Sequence, residues 1–378
     1  MTRVGGLCAQ TAATPRTTVL VMGRGPAEPV PDSRGALGTG TDSNGSGPMG
    51  YRYDPDLAPV VGQLPRRDLT DLTGTRAAVA AAATARAAVD TTGVLITDEV
   101  LPTGVGVRVY RPAKVDGPTG AILHAHGGGF VMCDVESSHP RNVELVRELG
   151  VPLVSVDYRL APEHPYPAAL QDVFTALEWL ASAPAGLAVD PTRIVLHGTS
   201  AGAGLVAAAA LLARDRGGPA VRFQYLGIPM LDDRQDTASI RRFTDTPMWD
   251  RNKAAIAWSA YLGQDVAGGA DVDAYAAPAR AADLRGLPPA YVSVMEFDPL
   301  RDEGLNYALA LLAAEVPVEV HLFPGTFHGA SMFPQAAIVR REAAEEVAVL
   351  RGALAPFPDG DPPSVAPSEA NSRVGSLL

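Results

Sequence analysis

Between residues 94 and 354 the hydrophobic pattern keeps changing period. Short apolar runs at 121–124, 153–156, 193–196, 222–228, 290–295 and 318–323 read as strands. The stretches between them carry apolar residues at helical spacing. Val143, Val146 and Leu149 share one face of a helix over 141–149. Leu170, Val173, Phe174, Leu177 and Leu180, with Trp179 alongside, share one face of the next. Further helices follow at 205–214, 305–314 and 336–354. Alternation of this kind predicts a mostly parallel sheet with helices on both faces and functional groups beyond the carboxyl ends of its strands. Ahead of it, 94–96 and 105–110 read as a β pair closed by Arg111 and Pro112.

The rhythm fails in defined places. Residues 229–275 are too long for an ordinary loop, carry helical content at 253–262, and read as an insertion over the sheet edge. Residues 51–90 hold a Pro-punctuated stretch and an Ala-rich helix over 75–89, whose shallow apolar face needs the main body to lean on. Residues 1–50 and 355–378 are rich in Gly, Pro, Ser and Thr without periodicity and read as disordered tails. Organised sequence starts directly after Met49, which marks that methionine as a candidate native start.

Composition narrows the class. A chain of 378 residues with 47% hydrophobic and 19% charged positions can bury a large core. Its net charge of −11 argues against nucleic acid and against an anionic membrane face. Cys8 and Cys133 are the two cysteines, too few for a disulfide framework and compatible with the cytoplasm. Cys133 reads as a small apolar packing residue. No run of 18 apolar residues marks a transmembrane helix, and the apolar run at 18–22 is too short for a signal peptide.

The chemistry centres on His197-Gly198-Thr199-Ser200-Ala201-Gly202, between the 193–196 strand and an Ala-rich helix. Gly198-x-Ser200-x-Gly202 is the nucleophile-elbow pattern, in which a sharp strand-to-helix turn exposes the serine hydroxyl. Glycine is wanted two residues to either side because a side chain there would strike the neighbouring strand or helix. The plainer reading is a Gly-rich turn whose Ser200 caps the helix. A serine nucleophile needs a base and an orienting acid, in chain order Ser, Asp or Glu, His on such a sheet. Asp298 follows the 290–295 strand, and His328 lies in a Gly-flanked loop after the last strand. Glu296 is the alternative acid and His321 the alternative base; Asp302 and Glu303 read as first-turn helix charges. Donors for an oxyanion are the amides of Gly128 and Gly129, in the turn His126-Gly127-Gly128-Gly129-Phe130, and of Ala201. His126 reads as a hydrogen-bonder that shapes this turn, and His124 as core.

His126-Gly-Gly-Gly, Tyr158-Arg-Leu-Ala-Pro-Glu163-His-Pro, Gly198-Thr-Ser-Ala-Gly202, Asp298-Pro-Leu-Arg-Asp-Glu and the His328-Gly loop come in that order. Over residues 51–354 the chain resembles the hormone-sensitive-lipase-like carboxylesterases of the α/β-hydrolase fold, in a branch with Thr at position 199. The resemblance implies a serine esterase acting through an acyl-enzyme on a small-molecule ester, with Ser200, His328 and Asp298 in catalysis and no metal or organic cofactor. It implies a helical cap from 51–90 and 229–275, with Tyr158 to Glu163 as a structural turn behind the oxyanion loop. A homodimer and a cytoplasmic location are compatible with it. Thr199 and Ala203 depart from the commonest family pattern without touching the proton relay. Trp249, Met248 and Phe130 are the candidate pocket residues, and short to medium acyl chains the expected substrates. An amidase, lactonase, acyltransferase or dehydratase would use the same machinery, and a ligand-binding homologue would keep the pocket alone.

Overall fold

The computed structural model describes residues 50–65 and 67–356. The two expected tails and Cys8 therefore lie outside the described residues, apart from positions 50, 355 and 356. One sheet of eight strands organises the chain, in the order β1-β2-β4-β3-β5-β6-β7-β8. These are β1 (Val94–Val100), β2 (Gly106–Pro112), β3 (Thr119–Ala125), β4 (Leu153–Asp157), β5 (Val189–Thr199), β6 (Phe223–Gly227), β7 (Ala290–Phe297) and β8 (Val318–Phe327). β1 and β2 form the expected antiparallel pair, β2 also runs antiparallel to β4, and every other neighbour is parallel.

The helices are α1 (Ala58–Val61), α2 (Leu72–Thr84), α3 (Val135–Leu149), α4 (Ala168–Ala181), α5 (Ala201–Arg216), α6 (Ala238–Arg242), α7 (Arg251–Leu262), α8 (Arg301–Ala313) and α9 (Ala337–Leu354). Strand alternation sends successive side chains to opposite faces. On β5, Ile194 and Leu196 join the cluster built with α4, α5 and α8, whereas Val195 joins the one built with α3 and α9. β3 divides the same way, with Leu123 on the first face and Ile122 on the second. The sheet is covered on both faces, as the alternation predicts.

The helix expected over 75–89 is displaced. Asp71 accepts a hydrogen bond from the Gly74 amide and starts α2 at Leu72, and the helix ends at Thr84. The Ala-rich run carries no stop signal of its own, and the helix closes with the Ala85 amide donating to the Ala81 carbonyl. A third apolar cluster joins Tyr51, Tyr53 and Leu57 to Phe243, Phe297 and Phe327. Tyr53 stands edge-on to both Phe297 and Phe327, which lie one residue before Asp298 and His328.

Candidate active site

Ser200 sits between β5 and α5 with φ 57° and ψ −121°, a conformation non-glycine residues rarely adopt. Three backbone hydrogen bonds hold it: its amide donates to the Gly227 carbonyl, and its carbonyl accepts from Gly204 and Met230. The flanking glycines make the turn possible. A Cβ on Gly198 would lie 2.4 Å from the Gly202 carbonyl oxygen, and one on Gly202 only 2.1 Å from that of Ala125. The elbow is thus wedged against both its own helix and the neighbouring strand β3.

Ser200 Oγ lies 2.9 Å from His328 Nε2, and His328 Nδ1 lies 2.7 Å from Asp298 Oδ2. The other carboxylate oxygen of Asp298 accepts from the Leu300 amide at 2.8 Å, fixing its rotamer. Since a carboxylate only accepts, Nδ1 of His328 carries the proton and Nε2 faces the hydroxyl as acceptor. The three side chains are 5%, 7% and 0% exposed, so their interactions are little screened by water. The alternatives are occupied elsewhere: Glu296 accepts from the Gly325 amide, and His321 bonds Glu345.

The oxyanion turn follows β3. Gly128 and Gly129 have φ of 122° and 61°, and a Cβ on Gly128 would fall 2.1 Å from the Met132 carbonyl oxygen. Among the described residues, the amides of Gly128, Gly129 and Ala201 have no hydrogen-bond acceptor. His126 shapes this turn. Its Nδ1–H donates to the Gly127 carbonyl at 2.7 Å, its ring stacks on Tyr158 at 4.2 Å, and the Tyr158 hydroxyl donates to its carbonyl. Burial pushes His126 down to about 4, against that hydrogen bond, leaving the ring neutral. Burial likewise pushes the Cys133 thiol up, away from thiolate chemistry.

Arg76 is the site residue that sequence reasoning missed. From α2 it donates to the carbonyls of Val131 and Ala161 and pairs with Glu163 at 2.7 Å, strapping the oxyanion loop to the 158–163 turn. Its only signal was that the Ala-rich helix expected over 75–89 carries two arginines, Arg76 and Arg86. Asp302 and Glu303 occupy the first turn of α8 as expected, but each also binds an amide of the 229–275 segment, Ser239 and Leu231 respectively.

Trp249 closes the site from above. Its ring centre is 5.8 Å from that of His328, and a Cβ on Gly129 would meet its outer edge at 2.5 Å. Met248 packs beside Gly329, the residue after the base. Phe130, the third expected pocket residue, is also packed into the core. It is 1% exposed, its ring stacked on Tyr261 at 4.1 Å and set against Trp258 at 5.4 Å, so its aromatic surface is consumed by core packing. An open cleft of about 640 Å³ lies elsewhere, between residues 52–55 and the start of α9, and includes none of the Ser200 set.

A buried Ser–His–Asp chain on a strand-to-helix turn, with unpaired amides beside it, defines the hydrolase class of this fold. A family model described as alpha/beta hydrolase fold matches residues 122–332, and the chain belongs to that family, in its hormone-sensitive-lipase-like branch. Esterase LipI of Mycobacterium tuberculosis is 42% identical over 230 residues, covering 60% of this chain and 70% of that protein. Carboxylesterase NlhH of the same organism is 41% identical over 232 residues, covering 60% and 71%. Among solved structures, a bacterial heroin esterase superposes with a TM-score of 0.78 at 44% identity, covering 80% of this chain and 98% of its own.

Proposed function

We infer that Ser200 is the nucleophile, His328 the general base and Asp298 its orienting acid in the hydrolysis of short- to medium-chain carboxylic esters. The chain is a carboxylic-ester hydrolase. The unbroken hydrogen-bonded series from Ser200 through His328 to Asp298 carries the mechanistic reading. Ser200 Oγ attacks the ester carbonyl as its proton passes to His328 Nε2, and Asp298 offsets the charge that forms on the imidazole. The tetrahedral oxyanion is received by the amides of Gly128, Gly129 and Ala201. Collapse expels the alcohol, protonated by His328. A water activated by the same histidine then attacks the acyl-enzyme and frees the acid and Ser200.

Residues 51–90 and 229–275 form the cap in this reading, and Trp249 and Met248 bound the acyl pocket. The test is hydrolysis of p-nitrophenyl esters from acetate to palmitate. Ser200→Ala is expected to lose on the order of 10³-fold or more in kcat, and Trp249→Ala to move the optimum to longer chains. Wild-type turnover by Ser200→Ala would overturn the mechanism.

The active unit in this reading is a homodimer in the cytoplasm, and β8 supports the pairing. It ends the sheet, so among the described residues one of its edges has no strand partner, and Val320 and Leu322 on it are 42% and 37% exposed. Leu309 and Leu312 on the adjoining α8 are exposed as well. Two β8 edges can pair antiparallel about a twofold axis. No described helix is long and apolar enough to cross a membrane.

A further inference from the structure

On the face of the sheet opposite α5, α9 carries two adjacent carboxylates that the reaction does not use. Each reaches a pair of strands. Glu346 Oε1 is 2.8 Å from His197 Nε2 on β5, and His197 Nδ1 is 2.8 Å from His124 Nδ1 on β3. Glu345 Oε1 accepts from the Tyr291 hydroxyl on β7 and from His321 Nδ1 on β8, both at 2.7 Å. Those four strands are the ones that end in the site. β3 leads to the Gly128 turn, β5 to Ser200, β7 to Asp298 and β8 to His328.

The first chain runs from α9 through β5 to β3. Although burial opposes it, the hydrogen bond from His197 and the charge of Arg141 hold Glu346 below the usual carboxylate range. As a carboxylate it only accepts, so His197 carries its proton on Nε2. The short contact between His197 Nδ1 and His124 Nδ1 holds one proton, donated by one ring and accepted by the other. Burial, then the neighbouring His197, pushes His124 well below the usual imidazole range, so it is neutral, and its buried Nε2 has no partner among the described residues. Arg141 on α3 locks the far end, donating to Glu346 Oε2 and to the Ala343 carbonyl. Buried polar chains of this kind rarely add net stability over apolar packing, but a connected chain specifies one register.

We propose that Glu345 and Glu346 are positioning residues, a splint through which α9 holds the strands of the oxyanion turn, nucleophile, acid and base at fixed mutual offsets. The proposal rests on the esterase reading above. To the registers set by the ladders the two carboxylates add side-chain links: Glu345 joins β7 to β8 directly, and Glu346 joins β5 to β3 through His197. A small shift matters because oxyanion donors must meet the developing charge within hydrogen-bond distance.

The experiment compares Glu345→Ala, Glu346→Ala, the double variant and the matching glutamine variants. Active sites are titrated with a p-nitrophenyl phosphonate, and p-nitrophenyl butyrate is the substrate. The expected result is a kcat per titrated site about tenfold lower in the double alanine variant, with KM within about twofold of wild type. The glutamine variants, which keep an acceptor oxygen, should recover most of the loss. Unchanged kcat per titrated site, with only a lower unfolding midpoint, would reduce the network to a structural one and overturn the proposal. Where the alanine variants do not fold, the double glutamine variant compared with His197→Phe and His321→Phe reads the same kcat ratio. Nitrogen-15 NMR of the wild type should find His197 protonated on Nε2, as the bond to Glu346 requires; a bare His197 Nε2 would also overturn the proposal. An inactive wild type, or an active Ser200→Ala, would instead indict the esterase reading.

Discussion

At the scale of single residues, the site depends on backbone approaches that no side chain can enter. Gly202 shows this most sharply, since its Cβ would lie 2.1 Å and 2.4 Å from the carbonyl oxygens of Ala125 and His126. Those oxygens belong to the strand end that carries the oxyanion turn, so relief in one half of the site displaces the other. Gly202→Ala is expected to lower stability by about 1–3 kcal/mol and to abolish turnover in the folded fraction, read by urea unfolding and ester hydrolysis. Gly227→Ala is the control: its Cβ would make contacts no closer than 3.4 Å, so both readouts should stay near wild type. A Gly202→Ala enzyme of normal activity would refute the wedge argument. Residues of this kind were legible in the sequence because their chemistry is tied to spacing and order along the chain. Arg76 was not, because its partners Val131, Ala161 and Glu163 lie 55, 85 and 87 positions away and no local pattern records them.

At the scale of elements, hydrophobic period gave the strands and helices in their right places, while their ends followed rules the period does not contain. α3 begins at Val135 rather than 141 because Asp134 caps it through a capping box, and Pro140 lies within the helix instead of opening it. Pro140 has no amide for the Glu136 carbonyl, which accepts from Arg86 at 3.5 Å instead. α5 likewise starts at Ala201, earlier than its apolar run suggests, since the helix must begin directly at the nucleophile. β8 runs on to Phe327, carrying the chain to the base. Its outer edge supplies the prediction that belongs to this scale. If two β8 edges pair in a homodimer, Leu322→Lys should place like charges against each other and convert dimer to monomer in size-exclusion chromatography with light scattering. An unchanged dimer in that variant, or a monomeric wild type, would refute the β8 interface.

At the scale of the whole molecule, buried ionisable groups outside the Ser200 chain decide how stability follows pH. Glu303 is 2% exposed, and burial, reinforced by the charges of Asp232 and Asp298, raises it well above its ordinary 4.5 against two backbone hydrogen bonds. Burial and the neighbouring Glu346 push Glu342 up to about 8, with Arg141 opposing. For both, the folded state holds its proton more tightly than the unfolded chain. Their stabilising contribution is therefore complete below pH 4.5 and drains as pH rises through their folded values. The buried histidines act with the opposite sign. His124 and His126 are depressed from 6.5 by burial, so their contribution is complete above pH 6.5 and is lost on acidification. Below pH 6.5 the two sets offset each other, and between 6.5 and 8 the carboxyls act alone. Stability should thus hold nearly level from about pH 4.5 to 6.5 and decline toward 8 by up to about 1.4 kcal/mol per pH unit for each carboxyl that remains protonated. Urea unfolding midpoints from pH 5 to 9 measure this directly. Glu342→Gln and Glu303→Gln, which keep the neutral form at every pH, should each flatten the alkaline decline. A decline that persists unchanged in the double variant would show that these carboxyls are already ionised in the fold, and would require counter-charges or water around them that burial alone denies.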